Sequence, residues 1–445
     1  MKKTYDVVII GGGISGLSAA YFLERSHPEL SALLIEASTR LGGWIKTITL
    51  PSGQQYETGP RSLLFRGESS LATADLITYL GLENDVIKAS KEASSRYVVI
   101  DGAPVALPEG LFDLIRTPIG RELAKKIFLE PFQKRGSVDD ESVAAFFARR
   151  APSPLVEKLA NALTSGIWGG EASLLSIYQT FPELKEWDLR YGSCLIGAIA
   201  SIFQKKKRPK MQGLYTFTGG LQQLVTTLQA NLHMPILTEN TVQEIHISPD
   251  AIDLISPQGS IRAHKVILAL PESITRYLVP SLFRNEFASL NASFATVVMG
   301  WEEDCLPRRG FGILAPSSED PHVLGIVLDS CVFPEHNTHM KTRMTVILGG
   351  MRWSMGIDQS DETLLQIASS RVGAWTGVRA PCTEHRVIRS ECAIPQPFVS
   401  TRRLTPYRMS RCGRICAISP SIGGVSVNQC ITAGYKAGQL VKNSG

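Results

Sequence analysis

The sequence predicts an α/β protein: a Rossmann-like dinucleotide-binding domain with an inserted helical subdomain and a second domain built on an antiparallel sheet. Three observations carry this reading. Val7 to Ile10 is a β-branched run that opens directly on Gly11-Gly12-Gly13-Ile14-Ser15-Gly16 and a helical stretch from Leu17. Residues 109–203 repeat apolar residues at helical spacing, in Phe112 to Ile115, Leu123 to Phe132, Val143 to Phe147 and Leu155 to Leu163. Residues 276–409 are strand-rich, and the chain then closes on a glycine turn and a last helix, Asn428 to Val441.

The first unit justifies itself residue by residue. A short β-branched run suits a buried parallel strand, and Gly-x-Gly-x-x-Gly lets the backbone turn tightly, approach a pyrophosphate and pack its helix on the sheet. Unpaired N–H groups and the helix dipole then form an anion site without a basic side chain. Ala32 to Ile35 reads as the second strand, and Glu36, 20 residues after Gly16, stands where a carboxylate accepts from ribose hydroxyls. Arg40 beside Gly42-Gly43 fits either a second phosphate contact or a plain turn. Glu57-Thr58-Gly59-Pro60-Arg61-Ser62 is a further turn, leading into a helical stretch from Ser70 to Leu80.

Arg96 to Ile100, Asp101-Gly102 and Pro104 to Pro108 read as strand, turn and return strand leaving the first domain. At the end of the helical stretch, the uncharged Cys194 to Phe203 runs into the basic cluster Lys205 to Lys210. A helix on an anionic lipid surface and a buried helix ending in solvated charge both explain those letters, and the buried reading is the simpler. From Gly213 the α/β character returns, with Val242 to Ile247, Ala251 to Ser256 and His264 to Leu270 as strands. The expected division is therefore 1–85, 211–275 and 410–445 for the dinucleotide domain, 105–204 for the helical subdomain, and 90–104 with 276–409 for the second domain.

With 445 residues, 44% of them hydrophobic, the chain can build two or three packed units. A net charge of +5 gives no ground for nucleic-acid binding. Met1-Lys2-Lys3 leads straight into the first strand and no run of 18 apolar residues occurs, so a cytoplasmic location is expected. The eight cysteines form no CxxC pair and are expected to be mostly small buried hydrophobes; the scattered histidines suggest no metal site.

Glycine turns at both chain ends suggest one long ligand, for which FAD fits better than NAD. The motifs Glu57-x-Gly59-Pro60-x-Ser62, Ser165-Gly166-Ile167-Trp168-Gly169-Gly170 with Leu175-Ser176, Ile394-Pro395-Gln396 and Gly423-Gly424-Val425 with Cys430 complete the pattern. Through them nearly the whole chain resembles the flavin amine oxidase superfamily, and within it the oxygen-dependent, FAD-containing porphyrinogen oxidases. The resemblance implies noncovalent FAD, held by Gly11 to Gly16, Glu36, Arg40, Gly42, Gly43, Gly59, Pro60, Arg61, Ser62, Val242, Val425, Ser426 and Val427. It implies a porphyrinogen substrate, protoporphyrinogen IX or coproporphyrinogen III, with molecular oxygen as acceptor. Arg96 matches the arginine that pairs with a propionate, Gly166 lies in the turn that approaches the macrocycle, and Leu314, Val327 and Ile347 match an apolar cavity lining. Without the resemblance, Arg96 reads as a surface arginine on an edge strand. Peripheral contact with the inner face of the membrane and a homodimer are left open.

One stretch departs from the family. After Gln396 an aromatic residue and Gly-His-Trp are usual, and here Pro397 to Arg402 reads Pro-Phe-Val-Ser-Thr-Arg. Two other readings use the same fold: an amine oxidase or carotenoid-type desaturase, and a scaffold resembling GDP-dissociation inhibitors, which needs no intact phosphate turn.

Overall fold

The computed structural model describes residues 3–137, 139–204, 209–283, 288–399 and 405–441. The chain begins β1 (Thr4–Ile10), α1 (Ile14–Ser26), β2 (Ala32–Ile35), β3 (Thr47–Thr49), β4 (Gln55–Glu57), β5 (Leu63–Phe65), α2 (Leu71–Tyr79), β6 (Val86–Lys88), β7 (Arg96–Ile100) and β8 (Ala103–Ala106). A helical run follows: α3 (Leu111–Arg116), α4 (Pro118–Leu129), α5 (Val143–Arg150), α6 (Pro154–Trp168), α7 (Ile177–Thr180), α8 (Pro182–Tyr191) and α9 (Cys194–Phe203). Next come β9 (Gly213–Phe217), α10 (Gln222–Ala230), β10 (Ile236–Leu237), β11 (Glu244–Ile247), β12 (Ile252–Ser256), β13 (Gly259–Leu268) and α11 (Glu272–Leu278). The rest is β14 (Asn291–Trp301), β15 (Gly312–Leu314), β16 (Val323–Val327), α12 (Asp329–Val332), β17 (Thr342–Gly349), α13 (Asp361–Thr376), β18 (Glu384–Pro395), β19 (Arg408–Met409), β20 (Ile415–Ala417), α14 (Pro420–Gly423) and α15 (Val427–Leu440).

The first sheet is parallel at its centre, in the order β10, β2, β1, β13, β20, with β12 and β11 added antiparallel beyond β13 and β19 beyond β20. Its central strands are buried on both faces, which is why they read as unbroken apolar runs rather than as alternation. Val7, Ile9 and Leu34 pack with Leu17 and Ile431 under α1 and α15. Val8, Ile10, Leu33 and Ile35 pack on the other side with Leu254, Val266 and Leu278. Each such fully buried aliphatic side chain contributes about 1.5–3 kcal/mol of transfer free energy.

The second sheet has seven strands in the order β18, β14, β17, β16, β15, β7, β8. Its neighbours are antiparallel with one exception, because β7 and β15 run parallel. The expectation of an antiparallel sheet is corrected at that pair. Hairpins force antiparallel pairing, but β7 and β15 are joined by no hairpin, and the chain between them passes through the helical run and the first sheet. One face of this sheet, with Ala295, Val297, Ile313, Ile326, Val346 and Leu348, packs on Leu364, Ala368 and Val372 of α13.

The helical run has a charged interior. Lys185 and Asp188 are fully buried and Arg150 nearly so, in a network with Glu130, Glu141 and Arg149. Glu130 accepts from the Ser193 hydroxyl at 2.5 Å and from the N–H groups of Cys194 and Leu195 at 2.9 and 3.2 Å, so it caps α9. The reading of α9 as a buried helix is overturned: within it only Gly197 is buried, while Ile202 and Phe203 are 71% and 81% exposed. Apolar periodicity shows that a face exists but not whether the fold supplies a partner for it. Residues 205–208 of the basic cluster lie outside the described residues. Among the described residues no helix is long and apolar enough to cross a membrane. The expectation for the cysteines is met at three, Cys331, Cys416 and Cys430, whereas Cys392 and Cys412 are exposed.

Candidate active site

The glycine turn ends β1 and starts α1 with Gly13 at the N-cap, and no side chain caps that helix. A Cβ on Gly16 would lie 1.8 Å from the Gly11 carbonyl oxygen, so helix and strand meet as closely as they do only because Gly16 has none. α15 runs parallel to α1 across another close approach, with Gly434 against Ser15 and Ser18, and Gly438 against Ala19 and Leu23. Both helix N-termini therefore open at the same end of the sheet, where their dipoles add. Ser426 caps α15 through the Gln429 N–H at 3.2 Å. Cys430 is buried in this contact, and burial pushes its thiol up to about 11.

Glu36 directly follows β2 and accepts from the Gly12 N–H at 2.7 Å and from the Ser38 N–H and hydroxyl at 2.8 and 2.7 Å. The Arg40 guanidinium donates to the carbonyls of Leu41, Gly43 and Ile45, so it braces its own loop. That loop returns to the glycine turn, since the Gly42 N–H donates to the Gly12 carbonyl at 2.8 Å. Gly59 packs on the Trp44 carbonyl. The 11–16, 42–43 and 59–62 segments thus lie side by side. Val242 is buried, and nearby Asn240 donates its N–H to the Glu36 carbonyl at 3.0 Å. The amide oxygens of Asn240 and of Asn428, in the first turn of α15, are buried with no donor among the described residues.

The face of the seven-stranded sheet opposite α13 carries the other group of expected residues. Leu314 lies opposite Gly325, and Gly325 opposite Ile347. One row along, Arg96 pairs with Gly312, Gly312 with Val327, and Val327 with Thr345. Directly opposed residues share a face, so Arg96, Leu314, Val327 and Ile347 stand together. Gly166 on α6 lies over Leu314, where a Cβ would come within 2.5 Å of its side chain. Arg96 is not on an edge strand, because β7 sits between β15 and β8. Its guanidinium lies 5.7 Å from the Phe311 ring centroid and makes no ion pair or hydrogen bond among the described residues.

The loop after α6 is fixed by Gln396, which is fully buried and donates to the Trp168 and Ile394 carbonyls at 2.8 and 3.1 Å. The departing segment after it pairs with the same loop: the Ser176 N–H donates to the Pro397 carbonyl, and the Val399 N–H to the Leu174 carbonyl. Residues 400–402 of that segment lie outside the described residues.

Asp329 and Arg343 went unassigned in the sequence. Asp329 pairs with Arg61 at 2.8 Å and accepts from the Thr345 hydroxyl at 2.6 Å. Its partner lies 268 positions away, so no local pattern could point to it. A three-residue alternation of Arg343, Thr345 and Ile347 along β17 was the available signal, since it carries polar residues onto the face opposite the apolar core.

A parallel sheet carrying a glycine turn beside two helix N-termini, with a second sheet that has an apolar face, has the form of a dinucleotide-binding α/β protein. Residues 14–441 match the family described as flavin containing amine oxidoreductase, and the chain belongs to it. It is 32% identical to human protoporphyrinogen oxidase over 97% of both chains. It is 27% identical to the coproporphyrinogen III oxidase of Bacillus subtilis over 97% of this chain and 96% of that one. A solved structure from Exiguobacterium sp. 255-15 has the same fold, with a TM-score of 0.80 at 22% identity over 99% and 98% of the two chains.

Proposed function

We propose that the protein is an FAD-dependent porphyrinogen oxidase of haem biosynthesis, with molecular oxygen as the acceptor and hydrogen peroxide as the second product. The observation that carries this is the end-to-end likeness to oxidases whose names specify porphyrinogens as substrates. In this reading the first sheet, with 1–85, 211–275 and 410–445, is the FAD domain, 90–104 with 276–409 holds the substrate, and 105–204 is the helical subdomain.

The residues fit FAD. Two parallel helix N-termini at one end of the sheet and the uncapped Gly13 suit a pyrophosphate, and Glu36 with the Asn240 oxygen, which has no donor among the described residues, suits a ribose. Bound FAD supplies hydride acceptance. The chain's own residues position. Val425 to Val427 and the 59–62 turn close on the cofactor, while Leu314, Val327 and Ile347 give a flat, water-excluding wall. Arg96, exposed on β7 and making no ion pair or hydrogen bond among the described residues, with Phe311 5.7 Å away, offers a bidentate fork to a propionate. The buried, weakly acidic Cys430 does not favour a covalent flavin link.

The exposed apolar residues Phe112, Ile115, Phe128, Phe132, Ile202 and Phe203 form a surface suited to peripheral contact with a lipid bilayer, with Lys125 and Lys126 close by on α4. The test of function is porphyrin fluorescence under air with protoporphyrinogen IX and coproporphyrinogen III side by side. Turnover of neither, with oxidation of cyclohexylamine or putrescine instead, would move the protein to the amine oxidases.

A further inference from the structure

Between the β3–β4 hairpin and the seven-stranded sheet lies a small cavity of about 20 Å3, room for about one water, walled in part by Glu57, Arg61, Asp329, Arg343, His336 and Tyr56. Glu57 faces it from the end of β4. Its Oε1 accepts from the Leu221 N–H at 2.7 Å and the Thr47 hydroxyl at 3.0 Å. Its Oε2 is buried with no donor among the described residues. Four residues on, Arg61 reaches Asp329 at 2.8 Å, with the two side chains only 17% and 15% exposed.

The other groups facing Glu57 are committed elsewhere. Arg343 donates to the Asn337 side-chain oxygen at 2.8 Å and to the Phe333 carbonyl at 3.1 Å. The Tyr56 hydroxyl donates to Glu384 at 3.0 Å, and burial raises its pKa. His336 Nε2 lies 2.9 Å from the Phe217 carbonyl, and burial lowers its pKa. Arg61 and Arg343 are the two cations lining the cavity, and Arg61 is the one whose charge acts on Glu57; among the described residues its guanidinium bonds Asp329 through one N–H, which leaves donors to spare. Burial raises Glu57 to about 7, with the Leu221 N–H, the Thr47 hydroxyl and Arg61 pulling it down and Asp329 pushing it up.

We propose that Glu57 and Asp329 are alternative anchors for Arg61, and that the proton on Glu57 decides which of them holds the 59–62 turn. With Glu57 protonated, a cavity water would satisfy its O–H and Arg61 stays on Asp329, the pairing seen here. When that O–H bond breaks and the proton leaves through the water, Oε2 becomes a buried carboxylate oxygen without a donor. Arg61 is the group able to turn to it. The two anchors belong to different units, Glu57 to the hairpin beside the glycine turns and Asp329 to α12 after β16. The proton on Glu57 therefore sets whether the turn is tied to the seven-stranded sheet, and the effect on the cofactor rests on the FAD reading above. Glu57 and Asp329 act as positioning residues.

The test compares wild-type holoprotein with Glu57→Gln, Asp329→Asn and Arg61→Gln, following FAD release by fluorescence and the thermal midpoint between about pH 5.5 and 8.5. In the wild type, FAD affinity should fall by up to about fivefold as Glu57 ionises, the worth of one partly exposed ion pair. Glu57→Gln should be flat, at the wild-type acid value. Asp329→Asn should move the inflection to lower pH, because a neighbouring negative charge is gone, and Arg61→Gln should move it to higher pH. An inflection that survives in Glu57→Gln, or that stays in place in both other variants, overturns the proposal. A chain that takes up no FAD at any pH refutes the cofactor reading instead. The same inflections in the thermal midpoint of that flavin-free chain then decide the anchors.

Discussion

Gly13→Ala separates the cofactor site from the fold. Gly13 has φ −69° and ψ 174°, which any residue adopts. A Cβ built there meets nothing closer than the Gly43 Cα, at 3.8 Å. The folded protein should therefore accept the methyl, and a stiffer unfolded chain should leave the flavin-free form unchanged or about 0.4–1 kcal/mol more stable. The methyl nevertheless projects over the uncapped N-terminus of α1, where a pyrophosphate must touch the backbone. Losing one charge-assisted hydrogen bond of about 1.5–3 kcal/mol should weaken FAD binding by roughly tenfold to a hundredfold. Gly16→Ala is the contrast, because its Cβ would lie 1.8 Å from the Gly11 oxygen and must damage the fold itself. Thermal unfolding of flavin-free protein and titration with FAD give the two numbers. A folded Gly13→Ala protein that binds FAD with wild-type affinity refutes the placement of the pyrophosphate.

Arg96→Ala should lower kcat/KM for the porphyrinogen by about tenfold to a hundredfold at unchanged FAD content, with Arg96→Lys in between, as steady-state porphyrin fluorescence can check. Glu130→Gln should destabilise the protein by about 1.5–3 kcal/mol, because it removes one of the two carboxylates that meet the buried Arg150 and leaves Asp188 as the other; chemical denaturation measures this. Burial opposes ionisation of Glu130, but Ser193, the Cys194 N–H and Arg150 outweigh it and hold its pKa below the usual value. Its stabilisation is accordingly present above the carboxylate's unfolded pKa and lost as pH falls through the lower folded value, and Glu130→Gln should remove that part of the acid transition. Binding to anionic vesicles should weaken with salt, and Phe132→Ser with Phe203→Ser should reduce it; partitioning that ignores vesicles, salt and both substitutions would reject a lipid surface.

Local sequence determined the parts whose physics is local. Gly11 to Gly16 between a β-branched strand and a helix, with Glu36 at the end of the next strand, leaves few other folds open, because turn, helix start and acid are bound by spacing along the chain. The strand-rich character of 276–409 and the helical spacing of 109–203 were legible for the same reason. Which residues would face one another across the chain was not. The parallel pairing of β7 with β15, the Arg61 to Asp329 bridge and the burial of Glu57 each join segments far apart in sequence, and nothing in either segment specifies its partner. The exposure of α9 was hidden likewise, since an apolar face looks the same in sequence whether the fold covers it or not. Sequence thus set the elements and the phosphate turn, and tertiary packing decided which charged groups lost their water and which apolar face kept it, because desolvation depends on neighbours brought together only by the whole fold.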